Sequence, residues 1–219
     1  MKLLKSEKGV SLIEVIAGML LTAIVFAILT VSMLNFITLY QETKLYTQLQ
    51  DDLYNAIEYM RYGYAKEYFT EGEGLIGLMT ADSAYVSLEG NSMEIYPEVI
   101  ENLTVAKSYW SRFSLNDNSQ LEVSSSYGLK GRFNNEKIFP STPLKKIGRI
   151  PRFKILNRGH IWSIVARTPE GKPLLMKIML EGQVRFRKRA NGQTRQDDKR
   201  KNVRTIKYET SVFLGNAAD

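Results

Sequence analysis

The 219-residue sequence contains no cysteine and only one histidine, His160. The absence of cysteine excludes a disulfide framework, a thiolate metal site and a cysteine nucleophile. A single histidine excludes most metal centres and catalytic mechanisms that need several imidazoles. Since 44% of the residues are hydrophobic and 24% are charged, the chain is too apolar for a disordered protein and long enough for one sizeable core.

Motifs that carry catalysis are also absent from the sequence. There is no Gly-rich phosphate loop, no GxSxG elbow and no HExxH helix. His160 follows Gly159 just before an apolar segment, which is typical of a turn or a structural histidine. The segment Asn116-Asp117-Asn118 lacks the ordered spacing of a calcium loop and is typical of a turn. We therefore expect no catalytic residue, no metal site and no cofactor, and the chain is not expected to be an enzyme.

Charge is missing from one long stretch near the N-terminus. Residues 15–34 form a run of 20 residues without a charged side chain. A helix of that length spans about 30 Å, the thickness of the hydrocarbon core of a bilayer. Lys2, Lys5 and Lys8 precede the run, so we expect a single-pass protein of the cytoplasmic membrane with its C-terminal domain outside the cytoplasm. No small-residue cleavage site follows Leu34, which favours a retained anchor over a secretory signal.

The residues around the start of this run form a recognisable pattern. A basic leader, residues 1–9, ends at Gly9, and Val10-Ser11-Leu12-Ile13-Glu14 leads into the apolar run. This order and spacing resemble the type IV prepilin family, which includes pilins and the pseudopilins of type II secretion and DNA-uptake machines. The resemblance implies that a prepilin peptidase cuts between Gly9 and Val10 and methylates Val10. It also implies that Glu14, the fifth residue of the processed chain, pairs with the N-terminal amine of a neighbouring subunit.

The carboxylate of Glu14 has a physical reason to seek such a partner. An ionised side chain at the edge of an apolar segment is costly unless it reaches the interface or is paired. The alternative is a plain anchor whose first helical turn carries an interfacial glutamate, favoured by the positive end of the helix.

Beyond the apolar run, the sequence predicts that the helix continues as an amphipathic helix. No proline or glycine occurs between residue 35 and Gly63. Apolar residues recur every three or four positions, at Leu45, Leu49, Leu53, Ile57, Met60 and Tyr64. We assign Asp52 to the polar faces, with Gln41, Glu42, Lys44, Gln48, Asp51, Glu58 and Arg61. The predicted organisation is a leader at 1–9, a helix at 10–66 (membrane-spanning at about 15–34, amphipathic at 35–66) and a β-rich domain at 67–219.

Short apolar or alternating runs predict strands in the second part of the chain. They are Ala84–Leu88, Ser92–Tyr96, Leu103–Leu115, Leu121–Leu129, Phe153–Leu156, Ile161–Arg167, Leu174–Leu180, Gln183–Lys188 and Val203–Leu214. Turn residues predict four hairpins, at 89–91, 116–118, 169–173 and Glu181-Gly182. Residues 135–151 and 190–202 are predicted to be loops, and Trp110 and Trp162 to anchor the core.

These elements predict an α+β fold in which a long N-terminal helix packs on an antiparallel sheet, and this arrangement also resembles the pilin fold. Two segments, Gln48 to Gly63 and the closing Thr210 to Leu214, resemble the larger minor pilins, of W-type, and the J-type minor pseudopilins.

Charge is divided unevenly along the chain. Residues 10–129 carry 15 acidic and 5 basic side chains, whereas residues 130–219 carry 7 acidic and 22 basic ones. The basic half is open to three interpretations: a solvated surface, a contact with an acidic patch on a neighbouring pilin or on its own helix, or contact with DNA or another polyanion. The candidate polyanion-binding residues are Arg185, Arg187, Lys188, Arg189, Arg195, Lys199, Arg200, Lys201 and Arg204.

The sequence as a whole favours a minor pilin or pseudopilin, a structural subunit of a type IV pilus, a type II secretion filament or a DNA-uptake filament. The expected partners are prepilin peptidase, other pilin subunits and the membrane. The alternative is a membrane-anchored binding protein that contacts DNA or another polyanion through its basic half and does not polymerise.

Overall fold

The computed structural model describes residues 11–64, 74–97, 108–124, 135–141, 152–186 and 202–214. Within these residues, one long N-terminal helix and three β-sheets make an α+β fold. The chain divides into two compact units, Met1–Lys44 and Leu45–Asp219.

The helix, α1, runs without a break from Leu12 to Tyr62. Its sequence contains no proline, and its one glycine, Gly18, is too little to interrupt it. The helix ends earlier than the predicted residue 66 because Gly63 adopts φ +103°, a left-handed conformation that favours glycine and is common just after a helix. Tyr64 consequently lies in the first strand and not in the helix.

The strands are short except for two near the C-terminus. In chain order they are β1 Gly63–Tyr64, β2 Gly74–Ile76, β3 Ser83–Val86, β4 Ser92–Tyr96, β5 Ser108–Tyr109, β6 Ser111–Leu115, β7 Leu121–Ser124, β8 Glu136–Phe139, β9 Phe153–Ile155, β10 Trp162–Arg167, β11 Pro173–Arg185 and β12 Val203–Phe213. A 3-10 helix, Leu78–Thr80, precedes β3.

The described strands form three sheets. A small sheet has the order β1-β2-β5, in which β2 and β5 are parallel. A five-stranded antiparallel sheet has the order β3-β4-β6-β7-β8. In the third sheet, the long strand β11 pairs with β12 along one edge and with both β10 and β9 along the other.

The core of the second unit forms where the C-terminal part of α1 meets these sheets. The predicted stripe is confirmed within the helix, since Leu49, Leu53 and Met60 are fully buried, Ile57 is nearly so, and Leu45 is half-buried against the core. Alternate residues of β11 supply the opposing surface, because successive side chains of a strand point to opposite faces. Burial of these apolar faces fixes which side of β11 faces the helix.

Three of the four predicted hairpins are confirmed, but the one at Glu181-Gly182 is wrong. The first three join β3 to β4, β6 to β7 and β10 to β11. Glu181 and Gly182 instead lie in the middle of β11, which joins the two predicted strands into one of 13 residues. Gly182 allows close approach of the helix and does not turn the chain.

The predicted loop at 135–151 is also corrected in part. Residues 136–139 form β8, which pairs with β7 at the end of the five-stranded sheet. Ile138 and Phe139 are buried, so their contribution to the core outweighs the turn signals that follow in the sequence. The predicted loop at 190–202 lies, apart from Asn202, outside the described residues.

Candidate functional site

The first turn of α1 is closed by Ser11 and Glu14. The Ser11 backbone N–H donates to Glu14 Oε2 at 2.9 Å, and the Ser11 hydroxyl donates to the same oxygen at 3.1 Å. In return, the Glu14 backbone N–H lies 3.3 Å from Ser11 Oγ. Reciprocal bonds between a serine and a glutamate three residues later form a capping box, which satisfies two helix-terminal donors that would otherwise lack partners.

This geometry gives Glu14, the residue predicted to pair with a neighbouring subunit, a second role as a cap of its own helix. Sequence reasoning identified Glu14 but missed Ser11, although the Ser-x-x-Glu spacing before an apolar run is a recognised sequence signal. Both interactions use Oε2, and Glu14 Oε1 accepts no hydrogen bond within the described part of the chain. The predicted cleavage and methylation positions, Gly9 and Val10, lie outside the described residues.

The helix surface that follows Glu14 is apolar and uncovered within its unit. Residues such as Leu20, Phe26 and Leu34 are each more than half exposed. By length and composition, the helix Leu12–Tyr62 is able to cross a membrane. A bare apolar surface of this kind is stable only when lipid or other apolar helices cover it.

The hydroxyl groups on this surface are satisfied within the helix. Thr22, Thr30 and Thr38 each donate to the backbone carbonyl four residues earlier, at 2.8, 2.8 and 2.9 Å. A hydroxyl bonded to its own helix avoids the cost of an unpaired polar group in hydrocarbon. These threonines are therefore compatible with an apolar environment.

Asp52, which the periodicity assigned to a polar face, is instead buried. Only 3% of this residue is exposed. Its Oδ1 accepts a hydrogen bond from the Ser141 hydroxyl at 2.5 Å, and its Oδ2 accepts one from the Ser141 backbone N–H at 3.3 Å. Burial raises the pKa of Asp52, while the bonds from Ser141 act in the opposite direction. Asp52 ties the segment after β8 to α1, a structural role that explains a carboxylate among apolar neighbours.

Two of the nine candidate polyanion-binding residues are described, and they do not share a surface. Arg204 pairs across the ladder with Val184, and Arg185 pairs with Val203. Directly paired residues point to the same face, so Arg204 shares the face of Val184. Val184 and Arg185 are consecutive in the strand and point to opposite faces, so the two arginines lie on opposite faces of the sheet.

The surroundings of Arg204 also indicate a packing role. Its guanidinium lies 5.7 Å from the ring centre of Tyr46 and 5.9 Å from that of Phe186, within the range of cation–π contacts. The other seven candidates, Arg187, Lys188, Arg189, Arg195, Lys199, Arg200 and Lys201, lie outside the described residues.

The minor sequence features take ordinary structural places. His160 is exposed, and its backbone bonds to Asn157 in a turn. Asn116 Oδ1 accepts the backbone N–H groups of Asn118 and Gln120, which closes the β6–β7 turn. Trp162 is buried as expected, whereas Trp110 is half-buried and stacks on Tyr96 with ring centres 5.5 Å apart.

Comparisons of the chain with protein-family models, with curated proteins and with solved structures found no match.

Proposed function

We propose that this chain is a subunit of a helical filament of the type IV pilin class, a minor pilin or pseudopilin. The observation that carries the proposal is the position of Glu14, a carboxylate in the first turn of a helix whose following surface is apolar and uncovered. An uncovered apolar helix accounts for a membrane anchor, and a neutral glutamine could cap its first turn equally well, so an anchor alone does not need the charge of Glu14. A filament in which neighbouring helices cover this surface uses both features.

The capping box suggests how Glu14 would serve assembly. Ser11 engages Oε2 and holds the carboxylate at the helix start, which leaves Oε1 to accept an ammonium from another chain. Removal of the leader after Gly9 would create that ammonium at Val10. Within a packed, apolar helical core either charge would be costly to leave unpaired, so the carboxylate and the ammonium would be held together.

The proposal specifies partners and a location. Prepilin peptidase would process the chain at the cytoplasmic membrane, and other pilin subunits would pack against residues 12–40. The β-rich unit would stand outside the cytoplasm, since the lysines of the leader favour retention on the inner side.

The test is the mass and N-terminal sequence of the full chain, extracted from membranes of cells with and without active prepilin peptidase. We expect a chain that begins at methylated Val10 only when the peptidase is active. A chain that begins at Met1 in both strains would overturn the proposal and favour the plain membrane anchor.

A further inference from the structure

The C-terminal strand β12 lies at a sheet edge. It pairs with β11 along its whole length, from Val203 to Phe213, and no described strand pairs with its other edge. An edge strand of 11 residues offers a long row of backbone donors and acceptors. Edges of this length are sites at which another extended chain can add a strand.

The ladder identifies which backbone groups face outward. At the two ends of the β11–β12 ladder, Leu214 N–H donates to Leu174 O at 3.1 Å and Phe186 N–H donates to Asn202 O at 2.8 Å. Even-numbered residues of β12 therefore direct their backbone groups toward β11, since these groups alternate in an antiparallel pair. The N–H and C=O groups of the odd-numbered residues, such as Thr205, Lys207 and Glu209, point to the outer edge of the sheet, away from β11.

On the face of the sheet toward α1, the apolar side chains of β12 are only partly covered. On the face toward α1, Ile178 and Leu180 of β11 are fully buried. On β12, Tyr208 pairs with Leu180 and Ile206 pairs with Gly182. Both are only half-buried although they also pack against the core. An added strand with apolar side chains on this face would extend the core over both residues.

Charge distinguishes among chains that could add here. On the face opposite α1, β11 and β12 carry three cations, Lys177, Arg185 and Lys207, and two carboxylates, Glu181 and Glu209, while Arg204 lies on the other face. Glu209 already contacts Lys177 at 2.6 Å and Lys207 at 3.1 Å. A second copy of this chain would bring the same excess of cations, whereas an acidic segment would neutralise it.

We infer that β12 is a docking edge for an extended segment of another polypeptide, one that alternates apolar residues with polar and acidic ones. The apolar side chains cover Ile206 and Tyr208, and the acidic ones lie beside Lys207 on the opposite face. Backbone bonds to the odd-numbered residues supply the pairing. This inference concerns β12 alone and does not depend on filament formation.

The experiment uses the full chain in detergent micelles and a fluorescent peptide of about nine residues, a usual strand length, in which valine alternates with threonine and glutamate. Fluorescence anisotropy should show saturable binding. Thr205→Pro removes one outward N–H and leaves the bonds to β11 in place, because the N–H of Thr205 points away from β11. Proline is tolerated at such outward positions of an edge strand. We expect about tenfold weaker binding by Thr205→Pro than by Thr205→Val, since one hydrogen bond to the peptide is lost.

A second arm leaves the protein unchanged. Two versions of the peptide carry N-methyl groups on alternate residues, one on the odd and one on the even positions. Strand addition predicts that only one version loses binding, because only one set of N–H groups faces β12. A peptide with lysine in place of glutamate should also bind weakly.

The remaining outcomes would overturn the inference. Absence of binding, equal binding of both N-methylated peptides, or equal binding by Thr205→Pro and Thr205→Val would exclude strand addition by this partner. Equal binding of the lysine peptide would exclude an acidic partner. The chain could instead form dimers that prevent peptide binding. If Thr205→Pro dissociates those dimers, the edge belongs to a second copy of the chain.

Discussion

Gly182 of β11 lies directly against Leu53 of α1, and a Cβ atom built on Gly182 would stand only 2.6 Å from Leu53 Cδ1. The same atom would lie 3.1 Å from Leu49 Cδ1. Both leucines are fully buried, so neither side chain has free space to move into. The glycine therefore sets how closely the helix approaches the sheet.

Gly182→Ala should destabilise the second unit by about 1–3 kcal/mol, the usual cost of overpacking a core. The measurement is chemical unfolding of the full chain in micelles, followed by circular dichroism. Ser163→Ala, at an exposed position of β10, is the control and should change the free energy of unfolding by less than about 0.5 kcal/mol. In a Leu53→Ala background the added methyl group has room, so the cost of Gly182→Ala should shrink. An equal cost in both backgrounds would contradict the close contact.

The same glycine explains where sequence reasoning failed. Glu181-Gly182 between two apolar runs is a hairpin signal. The signal misleads here because the local sequence does not show that a helix packs on this position. The requirement for a residue without a side chain comes from Leu53, which is more than 100 residues away in the sequence. Asp52 was misassigned for a related reason, since its partner Ser141 is remote as well.

Local patterns were sufficient elsewhere. The continuation of α1 beyond the apolar run, its buried stripe and three hairpins follow from periodicity and turn residues, which depend on near neighbours. Glu14 was found from spacing, and its bond to Ser11 could have been predicted from the same four residues. The separation of Arg185 from Arg204 could not, because it depends on the register between β11 and β12.

The buried carboxyl of Asp52 should make stability depend on pH. Its pKa is raised by burial, so the folded chain binds more protons at this group than the unfolded chain does. The contribution of Asp52 to the free energy of unfolding should consequently fall as pH rises above the ordinary pKa of an aspartate, through the upper part of the carboxyl range. Asp52→Asn retains an oxygen for Ser141 and does not titrate. Urea unfolding of both proteins should show the variant gaining relative to wild type across this range, whereas parallel curves would refute the assignment.

Met60 should matter as a hydrogen-bond acceptor as well as a core residue. The indole N–H of Trp162 lies 3.1 Å from Met60 Sδ in a buried setting. Met60→Leu keeps nearly the same volume but leaves that N–H without a partner, which should cost about 1–3 kcal/mol. In a Trp162→Phe background no indole N–H is present to be left without a partner, so the same change should cost less than about 1.5 kcal/mol. Unfolding measurements on the four proteins give the coupling energy, and a value near zero would mean that the contact is packing alone.

Glu14 has two separable roles, capping the helix and pairing with a neighbouring amine, and two substitutions distinguish them. Glu14→Gln retains the capping box, because glutamine can accept the Ser11 N–H, but it carries no charge. Glu14→Ala removes both the cap and the charge. If the filament proposal is correct, both variants should be inserted and cleaved normally, and both should yield far fewer assembled subunits in a sheared-filament or cross-linking assay.

Ser11→Ala supplies the matched control for the Glu14 series. It weakens the cap, since its lost hydroxyl makes two of the three contacts with Glu14, but it keeps the charge. Loss of the cap should cost about 1 kcal/mol of helix stability. Assembly by Ser11→Ala should therefore exceed assembly by Glu14→Gln. The reverse order, with Glu14→Gln assembling like wild type, would show that the glutamate serves the helix start and not the neighbouring chain.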